Sequence, residues 1–161
     1  MLFTTLVSLS LVALAAATGG PVIEKPAANS VIRPGEEFDF HYDSMSDYLR
    51  TGYNTSIFLF TSEIGALVSG GQNESVTTGH FFGRWSTGSV PNNNHPVESL
   101  PEKLTMPDFS VNPGGFGIGK TASDAPMFLA VFEEWAEQSG SIGHKIAYVS
   151  TPIIYNGTKS S

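Results

Sequence analysis

The residues with the clearest potential for chemistry alternate along residues 36–43, EEFDFHYD. Asp39, His41 and Asp43 are two residues apart, so in an extended strand their side chains share one face and could converge on a metal ion. The residues between them are aromatic, which is typical of a strand with one buried and one solvated face: Phe38, Phe40 and Tyr42. We interpret Asp39, His41 and Asp43 as solvated residues on the outer face of a half-buried strand, rather than as metal ligands. We therefore predict no metal-binding residues.

A second group of acidic residues could perform glycoside hydrolysis, which needs a pair of carboxylates at a defined separation. These residues are Glu133, Glu134 and Glu137, with Asp108 or Asp124 as the second partner. Because acidic side chains mostly lie on protein surfaces, we interpret them as ordinary surface acids. No serine occupies the centre of a G-x-S-x-G motif, and the chain has no cysteine. We therefore predict no catalytic residues and a protein that is not an enzyme.

The glycine-rich segment at residues 112–120, NPGGFGIGK, matches the spacing of a phosphate loop: Gly114, Gly119, Lys120 and Thr121. A phosphate loop is followed by a helix, and no amphipathic helical pattern follows here. We interpret the glycines as turn-forming residues and predict no bound cofactor.

The first residues, MLFTTLVSLSLVALAAA, have the pattern of a secretory leader. The apolar run is too short to span a bilayer, and small residues at Ala13, Ala15 and Ala17 suit a signal peptidase. We predict that residues 1–17 are a signal peptide and that residues 18–161 form a single secreted, extracellular β-sandwich domain.

The four histidines follow neither HxH nor HExxH spacing: His41, His80, His95 and His144. A copper brace, as in oxidative polysaccharide enzymes, requires a histidine at the mature N-terminus. Cleavage after Ala15 or Ala17 leaves alanine or threonine there. The predicted processing argues against that class of enzyme.

The composition narrows the classes of partner. The chain has 15 acidic and 8 basic residues and a formal net charge of -7, which argues against binding to nucleic acid or anionic lipid. With no cysteine, the domain must be held by packing, for which 11 Phe, 5 Tyr and 2 Trp supply large side chains. The polar ending YNGTKSS predicts neither a GPI signal nor an anchor. We expect a soluble monomer without membrane insertion.

Three N-x-[ST] sequons accompany the leader and predict a glycoprotein: Asn54, Asn73 and Asn156. Asn156 lies in the polar tail, whereas Asn54 opens an apolar strand in which a glycan could be hindered. A candidate interaction surface combines Arg84, Trp85 and Trp135, since arginine and large aromatic residues are favoured at interfaces. Core packing of Phe82 and of at least one tryptophan is the competing interpretation.

Strand patterns separated by turn-forming residues recur along the mature chain: residues 36–43, 53–61, 75–85, 127–136 and 142–155. Residues 18–35 predict a short edge strand and a turn, and residues 104–106 predict a further short strand. Residues 133–136 would also suit a helical turn, but we favour a strand over 127–136. Residues 53–61, YNTSIFLFT, are apolar on both faces, which indicates a central strand covered on both sides. Residues 87–102 are rich in Pro and Asn and predict a long loop. The pattern as a whole predicts an all-β fold, an antiparallel immunoglobulin-like sandwich of about seven strands.

Short phrases in the same order make the chain resemble the necrosis-inducing secreted protein family of fungal effectors, over nearly the whole mature sequence. They are VIEKPAA at 22–28, IRPG at 32–35, FDF at 38–40, YDS at 42–44, IFLFT at 57–61, FFGR at 81–84, LTMPDF at 104–109 and PGG at 113–115. The resemblance implies a non-enzymatic secreted effector that binds an extracellular or host protein, such as an immune receptor kinase, or provokes plant cell death.

The opening of the mature chain is also similar to fungal cell-wall proteins with an immunoglobulin-like domain linked to glucan assembly. The shared pattern is I-x-x-P-A-x-x-S-x-I-x-P-G, starting at Ile23. This second resemblance implies a cell-wall glycan-binding module, with β-glucan as the alternative partner.

Overall fold

The computed structural model describes residues 20–45, 50–64, 79–88, 97–111, 122–137 and 145–157. These residues form the strands β1 (Val22–Lys25), β2 (Val31–Ile32), β3 (Glu37–Asp39), β4 (His41–Asp43), β5 (Arg50–Phe60), β6 (Gly79–Ser86), β7 (Lys103–Thr105), β8 (Ala125–Glu137) and β9 (Lys145–Tyr155). The prediction of an all-β fold is confirmed. Within the described ranges there is no helix long and apolar enough to cross a membrane.

The larger layer is a curled five-stranded sheet in the order β2-β9-β8-β5-β6. Adjacent strands of this sheet are antiparallel, except for β2 and β9. These two strands pair in parallel, with Val31 opposite Ile154 and Ile32 opposite Tyr155. The parallel pair differs from the antiparallel arrangement predicted from the sequence. It arises because β1 and β2 belong to different layers, and a turn at residues 27–30 carries the chain between them.

The smaller layer consists of two ribbons, β1–β4 and β3–β7. β3 and β4 are separated only by Phe40, whose backbone N–H donates to the carbonyl of Glu102 at 2.8 Å. Burial alternates along this extended segment as the sequence predicts: Phe38, Phe40 and Tyr42 are buried, whereas Asp39, His41 and Asp43 are exposed. The prediction of one buried and one solvated face is therefore confirmed.

The core lies between the two layers. The larger sheet contributes inward-facing residues from β5, β8 and β9, and the smaller layer contributes aromatic residues with Leu104 and Met106. Several residues of the larger sheet are completely buried: Ile57, Leu59, Leu129, Val131, Ile153 and Tyr155. Burying this much apolar surface is the main favourable contribution to folding in a chain that has no disulfide.

Three further predictions can be compared with the structure. Residues 127–136 lie in β8 and are a strand rather than a helix, as expected, and Leu104 lies in the short strand β7. The predicted long loop at 87–102 contains no strand in its described residues. The glycine-rich segment at 112–120 lies outside the described residues.

Candidate functional site

The outer face of the five-stranded sheet, which points away from the smaller layer, carries a group of aromatic rings. We call this group the aromatic cluster: Phe58, Phe60, Phe81, Phe132 and Tyr148. Strand register brings the rings together, because Phe58 pairs with Phe81 on β6 and Phe132 pairs with Tyr148 on β9. Ala130 lies opposite Phe58 on β8 and is completely buried. The short alanine side chain leaves room for the rings around it.

The rings of the aromatic cluster contact one another continuously across four strands. The ring centroids are 4.9 Å apart for Phe58 and Phe81, 5.6 Å for Phe58 and Phe132, and 5.0 Å for Phe132 and Tyr148. Phe60 stacks on Phe58 at 5.3 Å. Tilted and edge-to-face arrangements of this kind are the favourable geometries for aromatic pairs.

Part of this cluster is open to solvent. Phe81 is 52% exposed and Tyr148 is 37% exposed, and beside them on β9 Ile146 is 70% exposed. Soluble proteins expose contiguous apolar patches sparingly, and such patches mark interaction sites more often than scattered apolar residues do. The aromatic cluster is therefore the best candidate for a binding surface.

A polar corner adjoins the aromatic cluster on the same face and consists of Asn54, Arg84 and Glu134. The guanidinium of Arg84 forms an ion pair with Oε1 of Glu134. The amide Nδ2 of Asn54 donates to Oε2 of the same carboxylate at 3.2 Å. Both oxygens of Glu134 are thus engaged, and the three side chains hold one another in place.

The predicted interaction surface of Arg84, Trp85 and Trp135 does not form one patch. Neighbouring residues of a strand face opposite sides, so Trp85 points inward where Arg84 points outward. Trp85 packs against the core, and its ring lies over Gly83, where a Cβ would come within 2.7 Å of it. Trp135 is only 8% exposed, with the ammonium of Lys145 at 4.8 Å from its ring centroid. Of the three residues, only Arg84 lies beside the aromatic cluster.

Glu133 is completely buried, which corrects its interpretation as a surface acid. It faces the core because it alternates with Glu134 along β8. Its Oε2 accepts hydrogen bonds from the hydroxyl of Tyr42 at 2.7 Å and from the backbone N–H of Met45 at 2.8 Å. Burial, and next the hydrogen bond to Glu133, raise the pKa of Tyr42 far above its usual value. Tyr42 and Glu133 therefore form a hydrogen-bonded tie between the two layers.

The other acidic residues do not join Glu133 to form a catalytic pair. Glu134 projects from the opposite side of β8, and Glu137 forms an ion pair with Lys145. Asp108 is exposed and accepts hydrogen bonds from the backbone N–H and the hydroxyl of Ser110. Asp124 is exposed as well.

The strand with the potential metal ligands lies on the outer surface of the smaller layer. Asp39 is 3.6 Å from the ammonium of Lys25, and Nε2 of His41 is 3.4 Å from a carboxylate oxygen of Glu24. Among the residues that the structure describes, no three His, Asp or Glu side chains are grouped to hold a metal ion. A groove of about 300 Å³ beside this strand is lined by charged side chains of both signs and by two rings: Lys25, Asp39, Phe40, His41, Glu102 and Lys103.

The other histidines have different surroundings. His80 on β6 lies edge-on to Phe82 with centroids 4.7 Å apart, and burial lowers its pKa. His95 and His144 lie outside the described residues.

The predicted glycosylation sites differ in their surroundings. Asn54 lies on β5 in the polar corner. Asn156 follows β9 at the start of the polar tail. Its backbone N–H donates to the carbonyl of Ile32, and the N–H of Gly157 donates to the carbonyl of Ala122. Asn73 lies outside the described residues.

A search against protein-family models found no match to this chain, and a search of the curated proteins found no match either. The function must therefore be inferred from the residues and their geometry.

Proposed function

We propose that this protein is a secreted, non-enzymatic recognition protein of the fungal effector type, which binds an extracellular or host protein through the aromatic cluster. The observation that carries this proposal is the exposure of Phe81, Tyr148 and Ile146 on one sheet face. Aromatic residues and arginine are enriched at protein interfaces, and Arg84 lies at the edge of the same surface. The leader-like first residues and the family resemblance support secretion and the effector type, with an immune receptor kinase as one partner class.

The chemistry of the rings favours a protein partner over a glycan. Four of the five rings in the aromatic cluster are phenylalanines, which offer no hydrogen-bonding atom. A glycan laid across them would lose hydrogen bonds from its hydroxyls to water without replacement, whereas an apolar protein surface would not. Cell-wall β-glucan is the alternative partner, and the specific observation in its favour is the polar corner, which places amide, guanidinium and carboxylate groups beside the rings.

The strand order supports the proposal of an immunoglobulin-like sandwich. In such domains strands A, B and E lie in one sheet and C, F and G in the other, and variable-type domains add C′ beside C. Read along this chain, β1, β4 and β7 would be A, B and E, and β5, β6, β8 and β9 would be C, C′, F and G. β3 would be the first half of strand B, which is continuous with β4 except at Phe40.

The tie between Tyr42 and Glu133 supports the same assignment. Antibody domains join strands B and F across the two sheets by a disulfide. Here Tyr42 on β4 and Glu133 on β8 occupy the corresponding strands and join them by a hydrogen bond. A structural use of Glu133 also supports a non-enzymatic function, because its carboxylate is engaged in the core.

The proposal is tested by infiltrating plant leaves with unglycosylated mature protein from a bacterial host, so that no glycan covers its surface, and measuring the oxidative burst triggered by an elicitor. We expect the wild type to change the burst and Phe81→Ser to lose that effect. The matched control is Asp39→Ser on the smaller layer, which should behave as the wild type. An unchanged burst with confirmed accumulation of wild-type protein would contradict the proposal. Retention on insoluble β-glucan that Phe81→Ser abolishes would instead support the glycan-binding alternative.

A further inference from the structure

We infer that Asn54 is an N-glycan acceptor whose glycan stands over the aromatic cluster and controls access of macromolecules to it. The inference rests on the proposed function, because it concerns the same surface of a secreted protein. The sequon Asn54-Thr55-Ser56 lies within β5, and Asn54 projects from the outer face into the polar corner. Its position on that face, rather than the sequon alone, makes a glycan there consequential.

The hydrogen bond to Glu134 sets the direction of the modified atom. Nδ2 of Asn54 is the atom that carries an N-linked glycan, and it donates to Oε2 of Glu134 on β8. Nδ2 therefore lies beside a side chain of β8, the strand that carries Phe132. A glycan attached to Nδ2 starts above the middle of the outer face.

The hydrogen bond and the glycan are compatible. In the transfer, Nδ2 attacks C1 of the first sugar of a lipid-linked oligosaccharide, and the bond from C1 to the lipid pyrophosphate breaks. The lipid pyrophosphate leaves with the bonding electron pair, and one amide proton passes to the transferase. One hydrogen remains on Nδ2 and can donate to Glu134, whose other oxygen is held by Arg84.

The glycan begins close to the rings. Phe58 lies four residues further along the same side of β5, about 13 Å from Asn54 at the rise of a strand. Ser56 lies between them and pairs with Phe132 on β8. Because its side chain is small, no bulky group separates the polar corner from the rings. The first sugars of the glycan can therefore stand above Phe58 and Phe132 and exclude a protein surface, without any affinity for the rings themselves.

The sequon at Asn156 provides a contrast within the same chain. It follows β9 at the end where Tyr155 pairs with Ala125, and its backbone is bonded to Ile32. Tyr148, the nearest ring of the cluster along β9, is seven residues before Tyr155, about 23 Å away at the rise of a strand. Phe60, the ring at this end of the cluster, lies level with Pro152 through Phe128. A glycan on Asn156 can therefore approach Phe60, but it leaves the exposed rings of Phe81 and Tyr148 open.

The test uses the full mature chain, secreted from a yeast host behind a leader known to work there. Glycopeptide mass spectrometry measures occupancy at Asn54, and retention on a phenyl chromatography matrix measures the apolar surface that a macromolecular support can reach. Ser56→Ala removes the sequon but keeps Asn54 and its bond to Glu134. Ser56→Thr preserves the sequon, and Asn156→Gln reports the generic effect of losing a glycan.

We expect Asn54 to be occupied in the wild type and Ser56→Ala to elute markedly later, whereas Ser56→Thr and Asn156→Gln elute near the wild type. Adding Phe81→Ser to Ser56→Ala should remove most of the extra retention. If the Asn54 peptide carries no glycan, or if Ser56→Ala is retained no more strongly than Asn156→Gln, the inference is wrong. Neither measurement uses a biological partner, so a negative plant assay would overturn the proposed function and leave this inference standing.

Discussion

The two outer faces of the molecule are built by the same strand alternation but carry opposite chemistry. On the five-stranded sheet, the outward positions hold the aromatic cluster with the polar corner at one end. On the smaller layer, the outward positions are mostly charged, and we call this surface the charged face: Glu24, Lys25, Glu37, Asp39, His41, Asp43 and Lys103, all exposed. Both surfaces back onto one apolar core.

The contrast indicates which surface is suited to association. Charged side chains on an exposed sheet keep it solvated and discourage pairing with other chains. The charged face follows this rule, and the ion pair of Lys25 on β1 with Asp39 on β3 joins its two ribbons. The aromatic cluster does not follow it, because it leaves Phe81 and Tyr148 partly in water. A departure of this kind on one face and not on the other points to a specific use of that face.

The largest expected effect concerns the tie that holds the two faces on opposite sides of one core. Glu133→Ala should lower the free energy of unfolding by about 4 kcal/mol, because it leaves the buried hydroxyl of Tyr42 and the N–H of Met45 without an acceptor and opens a cavity. Glu134→Ala, one residue away on the outer face, should cost less than about 1 kcal/mol. Urea denaturation of both variants measures the difference. Equal losses would show that Glu133 does not tie the layers.

A smaller effect follows from the raised pKa of Tyr42. The folded protein holds this proton more tightly than the unfolded chain, so the contribution is fully present below about pH 10, where an unfolded tyrosine is protonated. It is lost progressively as the pH rises above that value, because the unfolded chain ionises first. Tyr42→Phe should therefore show a shallower decline in stability between neutral and strongly alkaline pH. Urea denaturation at several pH values measures this decline, with Tyr148→Phe on the outer face as the matched control. If the free energy of unfolding falls in parallel in the wild type and in Tyr42→Phe, the tie is contradicted.

The smallest effect sharpens the comparison of the two faces. Lys25→Ala removes an ion pair whose side chains are each about 60% exposed, so it should change stability by less than about 0.5 kcal/mol, and less still in high salt. Arg84→Ala should cost more, since its partner Glu134 is only 26% exposed and also holds Asn54. Thermal denaturation at low and high salt compares the two. A larger loss in Lys25→Ala would mean that the charged face contributes to stability rather than to solubility alone.

Strand alternation made much of the fold predictable from the sequence. Phe38, Phe40 and Tyr42 alternate with polar residues and are buried as expected, because a period of two needs no knowledge of neighbouring strands. The strand nature of β8 was predictable in the same way from its aromatic and β-branched residues. The parallel pairing of β2 with β9 was not, since it depends on where the chain crosses between layers.

The candidate site was less accessible to sequence reasoning. Phe58 and Phe60 suggested a strand covered on both sides, but the structure places them among half-exposed rings on the outer face. The cluster depends on register across β6, β8 and β9, which the sequence does not contain. The prediction that Glu133 lies on the surface was wrong for a related reason. The cost of burying its carboxylate is offset by a hydrogen bond from Tyr42, which is 91 residues away along the chain. The alternation of side chains along a strand could have predicted it. Glu133 and Trp135 are two residues apart and so lie on the same side of β8, whereas Glu134 lies on the other side.

The bond between Tyr42 and Glu133 also determines where this domain can keep its fold. A disulfide between two sheets is lost when a protein enters a reducing compartment such as the cytosol. A hydrogen bond between a phenol and a carboxylate is neither oxidised nor reduced, and the chain contains no cysteine. The connection between the two layers therefore does not depend on the redox potential of the surroundings.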